Sequence, residues 1–156
     1  MDSEVLTKKL KDRFGDALLE FDLKISQPYI RLSTDHLIER CEYLKNDPEL
    51  AFDFLMCLSG VDWKDSLEVV YHLYSFTRNH KLVIKIKVDR DNPKIPSVSS
   101  IWRTADWHER EAYDLFGIIF EGHPDLRRIL LPEDWEGYPL RKDYIPQKKY
   151  KGFDLT

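Results

Sequence analysis

Two cysteines, Cys41 and Cys57, stand in separate segments of the chain, neither in a CxxC pair nor beside a ligand-spaced histidine. An iron–sulfur cluster held by cysteine needs four thiolates, so this chain does not supply one alone, and a single pair makes no disulfide framework. Two reduced, buried thiols in a cytosolic protein are expected. Glycine is equally sparse: the six glycines never cluster, and neither GxGxxG nor a phosphate loop occurs. A nucleotide-cradling turn is therefore improbable. No apolar run approaches the roughly eighteen residues that a bilayer-spanning helix needs. The start, MDSEVLTKKLKDRF, lacks the apolar stretch of a secretion signal. A soluble protein is expected, reaching a membrane only through a partner. Charge of one sign is lacking too. The 24 basic and 28 acidic residues are interspersed, net −4, with no basic patch of the kind that binds nucleic acid.

What remains is a chain with 42% hydrophobic and 13% aromatic residues, long enough for one real core and too short for two ordinary domains. Residues 3–14 place Val5, Leu6, Leu10 and Phe14 at helical spacing behind Ser3 as N-cap, and Gly15-Asp16 ends that helix. Ala17 to Lys24 alternates as a half-buried strand with Leu19, Phe21 and Leu23 on one side. Tyr29 to Leu32 forms a second strand after Pro28. Ser33 or Thr34 caps a helix with Leu37, Ile38, Cys41 and Leu44 as its stripe, stopping near Pro48. Phe52 to Gly60 reads mostly as strand. Leu67 to Phe76 and Lys81 to Val88 form a hairpin across Thr77–His80. The lysines of its second strand mark a solvated face or a protected edge. Helices and strands in this order predict an α+β domain over 1–131, helices packed on a mixed or antiparallel sheet in two layers. An extended arm follows over 132–156. Its prolines 132, 139 and 146 break any helix, while Trp135, Tyr138, Tyr144, Tyr150 and Phe153 are too aromatic for a solvated tail. With Arg141 among them, these rings fit a surface of the same domain or, preferably, of a partner.

The most informative stretch is Trp102 to Leu130, WRTADWHEREAYDLFGIIFEGHPDLRRIL. Thr104 is a candidate N-cap and Gly117 the helix stop. Trp102, Ala105, Glu109, Ala112 and Phe116 share one face, which puts Glu109 inside an apolar stripe. A buried carboxylate needs a partner, and Arg127 or Arg128, returned by the turn at Gly122-His123-Pro124, is expected to supply it. His123 itself is expected to pair with Glu121 or Asp125. Asp106, Arg110 and Asp114 are spaced for a ladder worth only about 0.3–0.5 kcal/mol per pair. It would matter mainly as a surface for something else.

Enzymatic readings fare poorly. His108, Glu111 and His123 could be metal ligands of a free-standing enzyme, but the helix is not HExxH, because Ala112 occupies the position four after His108. Glu109 and Glu111 point about 200° apart on a helix and cannot flank one bond. His72 and His80 near the hairpin lack a metal or nucleophile partner. No Ser-His-Asp or Cys-His arrangement is recognisable.

Glu109-Arg110-Glu111, Asp114-Leu115-Phe116, His123, Arg127 and Ile129 resemble, in residue and spacing, the signature of the NuoC-type subunit of respiratory complex I. This is the hydrophilic C subunit of NADH:quinone oxidoreductase. EGYPLRKDY, from Glu136 to Tyr144, looks like the family's next segment. The agreement is strong over Pro93 to Tyr144 and extends only in layout to the first ninety residues. The chain stops soon after Tyr144, whereas some members carry long extensions or are fused to the hydrogenase-like subunit. The resemblance implies a peripheral-arm subunit of a proton-translocating complex, on the cytoplasmic side of the inner membrane (the matrix side in mitochondria). It would pack against the hydrogenase-large-subunit-like quinone-site subunit and the iron–sulfur subunits. It would carry no cofactor, with NADH, FMN, iron–sulfur clusters and quinone in those partners. Glu109, Arg110, Glu111, Asp114, His123, Arg127 and Arg128 then have structural or interface roles, and Trp135, Tyr138, Arg141 and Tyr144 belong to the partner-binding arm. Related modules serve ferredoxin- or NADPH-linked quinone oxidoreductases and membrane-bound hydrogenases.

Overall fold

A computed structural model describes residues 3–155, with side chains from Leu6 onward. The cap expected of Ser3 and the stripe position of Val5 lie outside those described side chains. Helix α1 (Ser3–Phe14) leads through one turn of 3-10 helix into β1 (Leu18–Asp22) and β2 (Tyr29–Leu32). Helix α2 (Leu37–Asn46) follows, then β3 (Phe54–Asp62), β4 (Ser66–Ser75) and β5 (His80–Asp89). These strands make one mixed sheet in the order β1-β2-β5-β4-β3, with β2 parallel to β5 and the other pairs antiparallel. Short β6 (Lys94–Pro96) pairs in parallel with β7 (Ile119–Glu121), which flanks the signature helix α3 (Ala105–Phe116). The arm ends in a two-residue ladder of β8 (Lys149–Tyr150) and β9 (Phe153–Asp154). The α+β class expected from the sequence is the class found.

One face of the sheet carries the core. Leu67, Val69, Tyr71 and Leu73 of β4 stand opposite Val88, Ile86, Ile84 and Leu82 of β5, all buried. Leu10 of α1 and Leu37, Cys41 and Leu44 of α2 close over them. Each such leucine contributes about 1.5–3 kcal/mol. An exposed pair such as Arg13–Glu39, at 2.9 Å, adds at most about 1 kcal/mol. The layers are therefore held by apolar burial. The opposite face of the hairpin bears Lys81, Lys85 and Lys87 and no helix. Because β5 lies in the middle of the sheet, those lysines mark a solvated face and not an edge.

Local differences from the sequence reading have physical causes. Leu19 is exposed although its strand alternates, because a bulge between Leu18 and Glu20 shifts the register and sends Leu18, not Leu19, toward the core. Helix α2 takes no side-chain cap from Ser33 or Thr34. His36, at φ +51, precedes it, and the Leu37 amide donates to the Thr34 carbonyl. Cys41 is buried as expected, whereas Cys57 is only half-buried, and both thiols are free.

Candidate functional site at the signature helix

β3 is an edge strand, and an open edge offers unpaired amides and carbonyls to any passing strand. The segment entering α3 occupies that edge with side chains. Trp102 Nε1 donates to the carbonyl of Phe52, two residues before β3, at 3.0 Å, and Thr104 Oγ1 to the Leu55 carbonyl within it at 3.2 Å. The Leu58 amide donates to His108 Nδ1 at 2.9 Å. At the far end the Phe116 ring lies over Gly60, where a Cβ would meet it at 2.6 Å. Thr104 is thus taken up by the strand and does not cap the helix. Gly117 does end it, at φ +72, with its amide on the Tyr113 carbonyl.

The expected stripe is buried, and Glu109 within it is fully buried. Its partners are not the arginines. Ser97 Oγ donates to Glu109 Oε2 at 2.5 Å, and the Val98 amide donates to Oε1 at 2.7 Å. Both arginines reach other acceptors first, so the expected Glu109–arginine pair does not form. Burial, opposed by these two hydrogen bonds and assisted by Asp106, raises the Glu109 carboxyl from 4.5 to about 7. His123 lies beside it, its side chain fully buried and its Nε2 3.9 Å from Glu109 Oε2. The Asp125 amide donates to His123 Nδ1 at 3.0 Å, which leaves the ring proton on Nε2, 3.1 Å from the Asp106 carbonyl oxygen. The imidazole therefore bonds to the backbone of Asp125 and to Asp106, not to the side chain of Glu121 or Asp125. It ties the Gly122-His123-Pro124 turn to the start of α3.

Asp114 is also fully buried. Arg128 Nη1 reaches its Oδ1 at 2.8 Å, and the amides of Ile129, Leu130 and Leu131 converge on its Oδ2 at 3.0, 2.7 and 3.0 Å. These donors outweigh the burial that opposes them and hold the Asp114 carboxyl below its ordinary value. The second Arg128 nitrogen, Nη2, donates to the Trp135 and Gly137 carbonyls at 3.0 Å each. One guanidinium thereby links α3 to the root of the arm. Tyr138 lies between Arg128 and Arg141, with guanidinium carbons 5.2 and 5.1 Å from its ring centroid, and its ring packs over Gly117. Arg141 Nε donates to the Phe116 carbonyl at 2.7 Å. The charge ladder on α3 is accordingly absent: Asp114 is engaged by Arg128. Arg110 is buried, reaches the Arg127 carbonyl at 3.4 Å, and lies over the exposed Trp107 ring.

Asp62, at the end of β3, escaped sequence reading. It accepts Arg90 Nη1 at 2.5 Å and the Lys142 amide at 2.7 Å, a second tether for the arm. Arg90, the largest influence, holds its carboxyl well below the usual range. The only local signal was the Asx turn that Asp62 makes with the Lys64 amide. Ser97 was also missed, lying twelve residues before the carboxylate that it serves. Farther along, Trp135 Nε1 reaches Tyr144 Oη at 3.2 Å. Arg127 pairs with Asp125 on the surface, and Glu111 is exposed. His108, Glu111 and His123 are not gathered into a metal site, and no group of three or more potential ligands exists among the described residues. His80 Nε2 bonds to the Leu50 carbonyl at 2.6 Å. No helix among the described residues is long and apolar enough to cross a membrane.

The signature helix is thus tied along a sheet edge and pinned through buried carboxylates to the following turn and the arm. Residues 30–150 match the model of the family described as respiratory-chain NADH dehydrogenase, 30 Kd subunit, and the chain belongs to that family. A relative from Chloroherpeton thalassium, named as the C subunit of an NADH-quinone oxidoreductase, is 48% identical across 97% of this chain and 65% of its own length. The protein of the same name from Chlorobium phaeobacteroides is 47% identical across 94% of this chain and 90% of its own. Among solved structures, the trypsin-resistant fragment of Nqo5 aligns with a TM-score of 0.67 at 28% identity, covering 78% of this chain and 98% of that one. A chain of the membrane-bound sulfane sulfur reductase, an archaeal respiratory membrane complex, aligns at 0.76 and 25% identity, covering 91% and 85%.

Proposed function

We propose that this chain is a non-catalytic, peripheral-arm subunit of a proton-translocating NADH:quinone oxidoreductase. It braces the hydrogenase-like subunit that forms the quinone site and thereby supports electron transfer from NADH to quinone. NADH, FMN, iron–sulfur clusters and quinone are held by the neighbours, and the chain sits on the cytoplasmic side of the inner membrane through them. Residues 132–156 act as the partner-facing arm of the domain formed by 1–131. The observation that carries this reading is how the signature side chains are used. Glu109, Asp114, His123 and Arg128 spend their hydrogen bonds holding α3, the following turn and the arm in one geometry. A general acid or base needs reach to a substrate proton, and these groups face only the protein.

The likeness to the sulfane sulfur reductase complex favours a second reading, the equivalent subunit of a complex with another electron donor. Affinity purification of a tagged copy from its native membrane in mild detergent tests both. The expected result is retrieval of the hydrogenase-like and iron–sulfur subunits, with NADH:quinone turnover in the retrieved complex alone. Turnover only with reduced ferredoxin or NADPH would select the second reading. Turnover by the isolated chain, or a redox centre bound to it, would overturn both.

A further inference from the structure

We propose that the helix-free face of the five-stranded sheet docks an extended acidic segment of a neighbouring subunit. This rests on the complex-subunit reading above. Lys81, Lys85 and Lys87 share that face of β5, with Val83 between the first two, so the strip repeats at about 7 Å. The chain as a whole is negative, and the carboxylate that follows Lys87 on this face, Asp89, accepts the Asp91 and Asn92 amides at the strand end. Lys85 lies opposite Val70 and Lys81 opposite Tyr74 on β4. Lys87 lies opposite Glu68, whose carboxylate is already taken by Arg31 Nη2 at 3.1 Å and Trp63 Nε1 at 3.2 Å. None of the three lysines forms an ion pair among the described residues. The Lys85 ammonium instead sits 4.0 Å from the Tyr29 ring centroid.

Beside the strip, the face ends in an exposed aromatic group. Phe54 is 39% and Phe76 67% exposed, with ring centroids 5.3 Å apart, and Tyr74 lies 5.1 Å from Phe76. Water around three adjacent rings is released when something covers them, and a cationic strip beside them selects what does so. An extended segment repeats its side chains at the pitch of the strip. Carboxylates at alternate positions therefore meet the lysines in register while an apolar residue at one end meets Phe54 and Phe76.

The test uses the full chain, isolated and in the complex retrieved from native membrane. Lysine acetylation is mapped in both, and a carbodiimide joins ammonium to carboxylate only where they touch. Assembly is expected to slow acetylation of Lys81, Lys85 and Lys87 several-fold, and the carbodiimide to link at least one of them to an Asp or Glu of another subunit. Equal reactivity in the two samples would overturn the proposal, as would links confined to this chain's own carboxylates. Protection of the isolated chain by phosphatidylglycerol vesicles would assign the face to a membrane instead and would also overturn it. If the tagged chain retrieves no complex, the subunit reading fails and this one with it. A complex retrieved with reactive lysines sinks only the docking surface.

Discussion

Asp114 accepts four hydrogen bonds in a site closed to water, three of them from consecutive amides just before the arm. An asparagine keeps one acceptor oxygen and loses the charge, leaving the Arg128 guanidinium, itself largely buried, without its counter-ion. Removing one partner of a buried pair costs about 3–5 kcal/mol, so Asp114→Asn is expected to lower the urea midpoint strongly. Arg127→Ala, which deletes an exposed pair, should leave the midpoint nearly where it was. Denaturant unfolding of the two variants checks the contrast, and equal losses would show that the Asp114 site is not the anchor. Glu109 differs in kind, since no opposite charge contacts it closely. Sequence reasoning placed this carboxylate correctly in the core but assigned it a charged partner, because Arg127 and Arg128 are conspicuous in the chain and Ser97 is not. A serine hydroxyl and one backbone amide suffice because the carboxyl retains its proton more readily there.

The helix and its arm behave as one element. Gly117 stands at φ +72, and a Cβ built there would lie 2.5 Å from the nearest Tyr138 ring atom. Gly117→Ala therefore meets backbone strain of roughly 1 kcal/mol and must also displace the ring that joins Arg128 to Arg141. The expected result is a lower melting temperature together with faster tryptic cleavage after Arg141 and Lys142. A change in melting without the change in cleavage would show that Tyr138 does not govern the arm. His108→Ala tests the other flank. It removes the acceptor of the Leu58 amide, so hydrogen exchange at Leu58 should accelerate at a stability cost of about 1 kcal/mol. Exchange that stays unchanged would mean that the edge is closed by something else. The elements themselves were legible: the periodicity of the hairpin, of α1 and of α3 is strong and local. The sealed edge was not. Thr104 has the chemistry of a cap, and its use by Leu55 depends on a strand forty-nine residues away. The tether from Asp62 to Lys142 spans eighty residues and is equally invisible in the chain.

Across the whole molecule, the buried carboxylates set opposing limits on stability. Glu109 binds its proton up to about 7 when folded and to 4.5 ordinarily, so the folded state carries the extra proton between those values. Stability from this group is full below about 4.5 and lost as pH rises to about 7, an upper bound of ~3 kcal/mol. Asp62 and Asp114 have the reverse sign, because their folded values lie below the ordinary 3.8. Their contribution is present above that value and lost as pH falls through the depressed ones. Chemical denaturation across pH should thus show the aspartate contribution lost on the acid side and the Glu109 contribution lost toward pH 7. The latter loss is opposed by His72 and His80, whose imidazoles burial holds below their ordinary value and which favour the folded state as pH rises. Glu109→Gln, which can still accept from Val98, is expected to flatten the neutral side and leave the acid side intact. A variant that still weakens between pH 5 and 7 would place the titrating group elsewhere.

Members of a large assembly are made one at a time, and an orphan with a bare strand at its margin is prone to fibrils or to swapping with its own copies. Here one margin is closed by Thr104 and His108, and the other, β1, is five residues long and bulged. A newly made chain can therefore wait for its neighbours without sticking to its siblings. The same side chains that close that margin also fix the orientation of α3.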